Sequence, residues 1–156
     1  MLKKDFLIIL DLDHTLIYSS LSESEPASLL MNYNKFIKVY ERPFAREFIT
    51  FCKDLGDIIV YTTAEKEYAV KISKALEIDA LELISREQLQ GSEGNYYKDL
   101  YPEWSEVYNT IIVIDDSPNV WSEENHNQAV FMVPDEFMGE AEDVELKHIM
   151  NQIKTL

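Results

Sequence analysis

The 156-residue sequence contains a single cysteine, Cys52. No internal disulfide can form, and Cys52 falls within an apolar helical pattern, so it reads as a buried structural thiol. No apolar run approaches the roughly 20 residues that span a bilayer. Met1-Leu2-Lys3-Lys4-Asp5 runs straight into an apolar strand and leaves no room for a signal peptide. A cytoplasmic protein without a membrane partner is the expectation. Basic residues are scarce, 14 against 29 acidic ones, for a formal net charge of −15. Contacts to a phosphate backbone need Lys and Arg, and no basic run occurs, so no nucleic-acid partner is expected. The acidity by itself favours solubility. With 46% hydrophobic and 28% charged residues, a folded globule is expected rather than disorder, as one domain over residues 1–156.

The chain also shows neither an internal repeat nor a low-complexity segment. Residues 6–10 are short and continuously apolar, as in a strand of a buried parallel sheet. Residues 19–34, rich in Ser, Glu and Asn, read as a loop. A short strand follows at 35–43, ended by Pro43, which suits the first turn of a helix. Residues 44–55 place Phe44, Phe48, Phe51, Cys52 and Leu55 on one helical face, and Gly56 suits a helix end. The pattern then predicts a strand at 57–63 and an amphipathic helix at 65–78 with Tyr68, Ile72, Ala75 and Leu76 inward. A short strand at 81–84, a loop at 85–95, strands at 110–118 and 129–134, and a final helix at 141–155 with Val144, Ile149, Met150 and Ile153 complete the reading. Strands alternating with helices indicate an α/β domain with a mostly parallel sheet.

Three of the apolar strands end in polar groups. The first delivers Asp11 and Asp13, the second Thr62 and Thr63, the third Asp115 and Asp116. Ligands of open α/β sheets sit beyond the carboxyl ends of the strands, so parallel strands would gather all six at one edge. Unpaired buried charge is costly. Four carboxylates in one cleft stay ionised only around a cation, and oxygen ligands of this kind suit Mg²⁺, which also takes phosphate oxygens. One residue separates Asp11 from Asp13, so a continuing strand would turn both to the same side. One could attack phosphorus while the other passes a proton to the leaving oxygen. Thr62 could donate to a phosphate oxygen, and Lys98 in "NYYKDL" could offset phosphoryl charge. Alone, each residue has an ordinary reading: Asp115-Asp116 as a solvated turn, the threonines as strand formers, Lys98 as a surface lysine. Trp121 follows the acidic pair and could border the cleft, but packing is the more common role of Trp104 and Trp121. His126 and His148 read as surface residues.

"DLDHT" resembles the DxDxT signature of haloacid dehalogenase (HAD) superfamily phosphatases. Asp-x-Asp-x-Thr, then Thr, then Lys, then Asp-Asp is that superfamily's motif order. "DLDHTLIYSS", "ERPFAREFI", "IIVYTTAEKEYA", "GNYYKDL" and "VIDDSP" are similar to the FCP/SCP-like group, related to phosphatases of the RNA polymerase II C-terminal domain and also called the NLI-interacting-factor domain. The resemblance covers Phe6 to about Pro134. It implies a Rossmann-like HAD core with helices flanking the sheet. It also implies a phosphomonoester hydrolase working through an aspartyl-phosphate. Asp11 would be the nucleophile and Asp13 the general acid and then the base. Thr62, Thr63 and Lys98 would hold the phosphoryl group, and Thr15 would orient the motif. Asp11, the Asp13 backbone carbonyl, Asp115 and Asp116 would hold Mg²⁺.

The departures concern recognition. His14 stands where the group has Glu and would point away from the site. Asp116 replaces an Asn common in eukaryotic members. Glu65 replaces an apolar residue of a proline pocket in the C-terminal-domain phosphatases, Glu93 an Arg near the phosphate, while Tyr68 of that pocket is kept. Hence Tyr68, Glu65 and Glu93 are the expected substrate rim, and the polymerase-tail substrate is not carried over. Only about 35 residues separate Thr62 from Lys98 and about 30 separate Thr15 from the Pro43 helix. That is too few for a large cap domain. An open site favours a phosphate displayed on something larger, such as a phosphoprotein. Small-molecule phosphatase activity is an alternative. Two others are a receiver-like signalling domain, in which the acidic pair would come first rather than last, and a non-catalytic phosphate binder.

Overall fold

The computed structural model describes residues 2–21 and 25–156. Its centre is a five-stranded parallel sheet, ordered β6-β5-β1-β7-β8. Strand β1 is Lys4–Leu10, β5 Asp57–Tyr61, β6 Glu82–Ile84, β7 Tyr108–Ile114 and β8 Val130–Met132. A second, antiparallel sheet, ordered β2-β4-β3, consists of β2 Ile17–Ser20, β3 Leu29–Asn32 and β4 Lys38–Glu41. The helices are α1 Ala45–Leu55, α2 Lys66–Ala75, the four-residue α3 Trp104–Val107 and α4 Glu145–Ile153.

Strand alternation splits the interior into two layers. Ile8 and Leu10 of β1, Ile58 and Val60 of β5, and Ile112 and Ile114 of β7 share one core with Phe48, Ile49 and Cys52 of α1, Ile72 of α2, and Leu146, Ile149 and Ile153 of α4. Leu7, Ile9, Ile59, Tyr61, Ile111 and Val113 face the opposite layer. There Leu100, Trp104 and Trp121 cover the sheet instead of a long helix. Tyr101 stacks on Trp104 with ring centres 4.6 Å apart, and Tyr61 meets Trp121 at 5.0 Å. Each fully buried Leu or Ile contributes about 1.5–3 kcal/mol relative to exposure, so β1, covered on both faces, is firmly anchored.

The α/β class and the mostly parallel central sheet match the expectation, and no large cap domain is present among the described residues. Several boundaries differ. Residues 19–34 are not all loop: β2 runs to Ser20, and β3 occupies Leu29–Asn32. Residues 22–24 of that stretch lie outside the described residues. Backbone pairing to β4, which local composition does not encode, makes these strands. Pro43 precedes the helix rather than opening it, because Phe44 takes a left-handed conformation (φ 70°) as the N-cap of α1. Helix α2 is shorter than 65–78, and α4 begins at Glu145, leaving Val144 exposed at its N-cap. Strands β5 and β7 end at Tyr61 and Ile114, so Thr62, Thr63 and Asp115 to Pro118 lie on the connections beyond them.

Gly56 ends α1 for a reason of space. Its backbone is extended (φ −179°), and a Cβ there would lie 2.3 Å from the Phe6 carbonyl oxygen. Cys52 is fully buried, and burial pushes its thiol up to about 12. Among the described residues no helix is long and apolar enough to cross a membrane.

Candidate active site

From β1 the chain steps to β5 and β6 on one side and then returns to β7 and β8 on the other. The carboxyl end of β1 is therefore the point where the strand order reverses, the usual ligand crevice of an open α/β sheet. Asp11 is the first residue past that end. Its N–H donates to the Ile114 carbonyl at 3.0 Å, which continues the pairing with β7 by one step. Leu12 is fully buried between Asp11 and Asp13. Because β1 stops at Leu10, strand alternation does not set the two carboxylates' directions. A tight turn does: the Thr15, Leu16 and Ile17 N–H groups all donate to the Leu12 carbonyl, and His14 adopts φ 66°.

Both oxygens of Asp11 are engaged. Lys98 Nζ donates to Oδ1 at 3.2 Å, and Thr15 Oγ1 lies 3.1 Å from Oδ2. Thr15 is fully buried and also bridges to Asp116, with Oγ1 2.9 Å from Oδ1 and accepting the Asp116 N–H at 3.0 Å. Lys98 is buried with all three protons placed: on Asp11, on Asp115 Oδ2 at 2.7 Å and on the Tyr61 carbonyl at 2.9 Å. Its ammonium also lies over the Tyr61 and Trp121 rings, at 5.6 and 5.7 Å. Trp121 Nε1 donates to Asp115 Oδ2 at 3.0 Å, and the Ser117 N–H to Oδ1 at 2.9 Å. So Trp121 does more than border the cleft; it packs beneath it and holds a carboxylate.

Asp11, Asp115 and Asp116 each offer an oxygen within 4.8 Å of the others. Burial, opposed by Lys98 and reinforced by Asp116 and Asp13, pushes Asp11 up to about 6. Burial and the Asp11 charge likewise push Asp115 up to about 6. Burial alone would lower Lys98, but Asp11 and Asp115 reverse that, and its pKa is raised. One ammonium does not balance this many carboxylates. The donor set, all hard oxygens and in excess of the available cation, fits a metal ion. The Asp13 side chain is not part of the trio. It accepts the Tyr68 hydroxyl proton at 2.7 Å, and burial raises its pKa.

Thr62 is buried beyond β5. Its Oγ1 accepts the Ala64 N–H at 3.1 Å, and among the described residues its own hydroxyl proton has no acceptor. Thr63 is half-buried, and its carbonyl accepts Arg86 Nε at 2.8 Å. Glu65, exposed at the N-cap of α2, pairs with Arg86 at 3.6 Å. Glu93 lines an open cleft of about 280 Å³ with Thr63, Arg86, Gly94, Tyr96 and Val120. The His14 ring turns away from the acidic trio, its Nδ1 lying 3.0 Å from the Phe137 carbonyl.

Sequence reasoning missed two arginines and a serine. Arg86 reaches the rim from the 85–95 loop, where its only signal was a basic residue in an acidic chain. Arg42 is fully buried, and it binds the His14 and Thr15 carbonyls at 3.3 and 3.1 Å. Its position before Pro43 was the available signal. Ser19 touches the Tyr68 hydroxyl through a short hydrogen bond.

Comparisons with known proteins bear on the family and the fold. The chain is 32% identical over 119 residues to an uncharacterised Schizosaccharomyces pombe protein, a match covering 72% of this chain and 36% of that one. It is 26% identical over 155 residues to an RNA polymerase II C-terminal domain phosphatase of Caenorhabditis elegans, covering 90% and 23%. It is 29% identical over 118 residues to Phosphatase PSR1 of Saccharomyces cerevisiae, covering 71% and 27%. The chain thus spans well under half the length of these relatives. The fold is similar to that of the fission yeast RNA polymerase II C-terminal-domain phosphatase Fcp1, in a beryllium fluoride-bound R271A form. That likeness has a TM-score of 0.59 and 19% identity, over 98% of this chain and 50% of that one. The family model that matches covers residues 6–156, nearly the whole described chain, and by it the chain belongs to the NLI interacting factor-like phosphatases.

Proposed function

We propose that the protein is a Mg²⁺-dependent phosphomonoester hydrolase acting through an aspartyl-phosphate, on an accessible phosphate such as that of a phosphoprotein. The observation that carries this reading is Asp11: at the end of the central strand, between Lys98 and Thr15, in a trio of carboxylates with Asp115 and Asp116.

In this reading an Asp11 oxygen attacks phosphorus and the P–O bond to the leaving group breaks. The leaving oxygen keeps that electron pair and takes a proton from Asp13. A water oxygen then attacks the phosphorus of the aspartyl-phosphate and gives its proton back to Asp13, and the Asp11 O–P bond breaks. Two moderate barriers replace one high one. Thr62, whose hydroxyl proton has no acceptor among the described residues, and Thr63 beside it bind phosphoryl oxygens. Lys98 holds Asp11 in place and offsets phosphoryl charge. Asp11, the Asp13 backbone carbonyl, Asp115 and Asp116 would hold Mg²⁺, which when bound supplies positive charge against the phosphoryl oxygens. Tyr68, Glu65 and Glu93 form the substrate rim.

The absence of a large cap among the described residues supports a phosphate carried on a larger body, and the net charge of −15 argues against a nucleic acid. The lone buried thiol accords with a cytoplasmic setting. Release of nitrophenol from p-nitrophenyl phosphate, by wild type and Asp11→Asn, with Mg²⁺ and with EDTA, tests the reading. Activity that needs the metal and disappears in a folded Asp11→Asn is expected. No turnover by folded wild type in Mg²⁺ would count against it. Turnover of small phosphoesters with none of a phosphopeptide library would replace the protein substrate by a small molecule.

A further inference from the structure

We propose that Tyr68 is a positioning residue that decides which oxygen of Asp13 delivers the proton to the leaving group, with Ser19 fixing Tyr68 in turn. The inference rests on the reading of Asp13 as general acid. Tyr68, on α2, donates its hydroxyl proton to Asp13 Oδ1 at 2.7 Å. Among the described residues it is the one hydrogen-bond partner of that carboxylate. Its proton being committed there, the short contact with Ser19 Oγ is satisfied by Ser19 donating to the phenol oxygen. Ser19 lies on β2, Tyr68 on α2 and Asp13 on the turn after β1. Three elements thus meet in one directed chain, Ser19 to Tyr68 to Asp13, and hydrogen bonds in such a chain strengthen one another. The ring is steadied as well, standing edge-on to Tyr33 with centres 5.1 Å apart.

This matters because the terminal torsion of an aspartate is broad and nearly two-fold, so a free carboxyl exchanges its oxygens readily. With Oδ1 held by Tyr68, the transferable proton belongs on Oδ2. As the P–O bond to the leaving group breaks, the leaving oxygen keeps the electron pair and takes that proton. Asp13 becomes a carboxylate, and the Tyr68 hydrogen bond then meets an anion, where such bonds are stronger. Tyr68 therefore acts through Asp13, in the step in which the leaving group departs. Leaving groups of high basicity need that proton, and those of low basicity leave without it.

The test is the dependence of kcat/KM on leaving group, since kcat/KM covers the steps through phosphoenzyme formation. Wild type, Tyr68→Phe, Ser19→Ala and Asp13→Asn are compared from 2,4-dinitrophenyl phosphate through less activated aryl phosphates to an alkyl phosphate. Tyr68→Phe keeps the ring against Tyr33 and removes only the hydroxyl. It is expected to lose no more than about twofold on the dinitrophenyl ester and about tenfold or more on the alkyl ester, a fraction of the roughly 10²–10⁴-fold that a general acid contributes. Ser19→Ala is expected to show the same trend at smaller size, with thermal unfolding of both variants close to wild type. A loss of equal size across the series, or no loss, overturns the proposal and leaves Tyr68 as a rim residue. If Asp13→Asn shows a steep trend while Tyr68→Phe is flat, this inference alone fails. A flat Asp13→Asn removes the general-acid reading and this inference with it.

Discussion

Arg42, fully buried, and Asp143, largely buried, form a bidentate ion pair, with Arg42 Nε and Nη2 each 2.8 Å from one carboxylate oxygen. The guanidinium has further protons, and these go to the His14 carbonyl at 3.3 Å, the Thr15 carbonyl at 3.1 Å and the Asp135 carbonyl at 2.6 Å. Asp143 Oδ1 also accepts the Glu145 N–H at 3.1 Å, at the start of α4. One pair thus ties the turn that carries Asp13 and Thr15 to the segment leading into the last helix.

Removing one partner of such a pair strands a buried charge, whereas replacing both by apolar residues does not. Arg42→Met and Asp143→Leu are each expected to cost about 3–5 kcal/mol. The double variant is expected to cost clearly less than their sum. Urea unfolding in a double-mutant cycle measures this, and additive losses would refute the coupling.

The acidic trio predicts a stability linked to divalent metal. A ligand bound only by the folded state stabilises it by about 2.7 kcal/mol at a hundredfold excess over its Kd. Adding MgCl₂ to EDTA-treated protein is expected to raise Tm, and Asp116→Asn, which removes one of the three clustered carboxylates, to blunt that rise. An identical shift in wild type and variant would falsify the assignment of Asp116 to the metal.

At the opposite edge of the sheet, Asp57 accepts from the Tyr108 hydroxyl at 2.7 Å and Lys4 Nζ at 3.0 Å, and its pKa is lowered, chiefly by Tyr108. A lowered folded-state pKa adds stability that is present above the unfolded value of about 3.9 and is lost as pH falls through the folded value. Tyr108→Phe is therefore expected to cost about 1 kcal/mol at pH 7 and less at pH 3. Denaturant titrations at the two pH values decide it. A gap that is constant or grows at pH 3 contradicts the role given to Tyr108.

Gly56 is set by space rather than torsion. With its added Cβ 2.3 Å from the Phe6 carbonyl oxygen and 2.9 Å from Phe6 Cβ, Gly56→Ala must push β1 away from the end of α1. A loss of about 1–3 kcal/mol is expected. A thermal melt equal to wild type would show that the backbone gives way freely there.

The parallel sheet was legible in the chain because β1, β5 and β7 each contain a continuous apolar run (Phe6 to Leu10, Ile58 to Tyr61, Ile111 to Ile114), the pattern of strands buried on both faces. The acidic residues after β1 and β7 and the threonines after β5 were legible for the matching reason: polar groups placed directly beyond buried strands have few uses other than a site. Local pattern ran out where the interaction is long-range. Strand β3 depends on its pairing with β4, and the Ser and Asn around it signal a loop. The Asp13 carboxylate meets the Tyr68 hydroxyl, 55 residues away in the chain. Arg42 meets Asp143 across 101 residues, and Lys98 meets Asp11 across 87. Residue types and strand order specify which chemistry a chain can hold. Which oxygen receives which proton, and which charge is paired with which, follows only from three-dimensional packing, because hydrogen bonds depend on distances of a few ångströms that sequence separation does not encode.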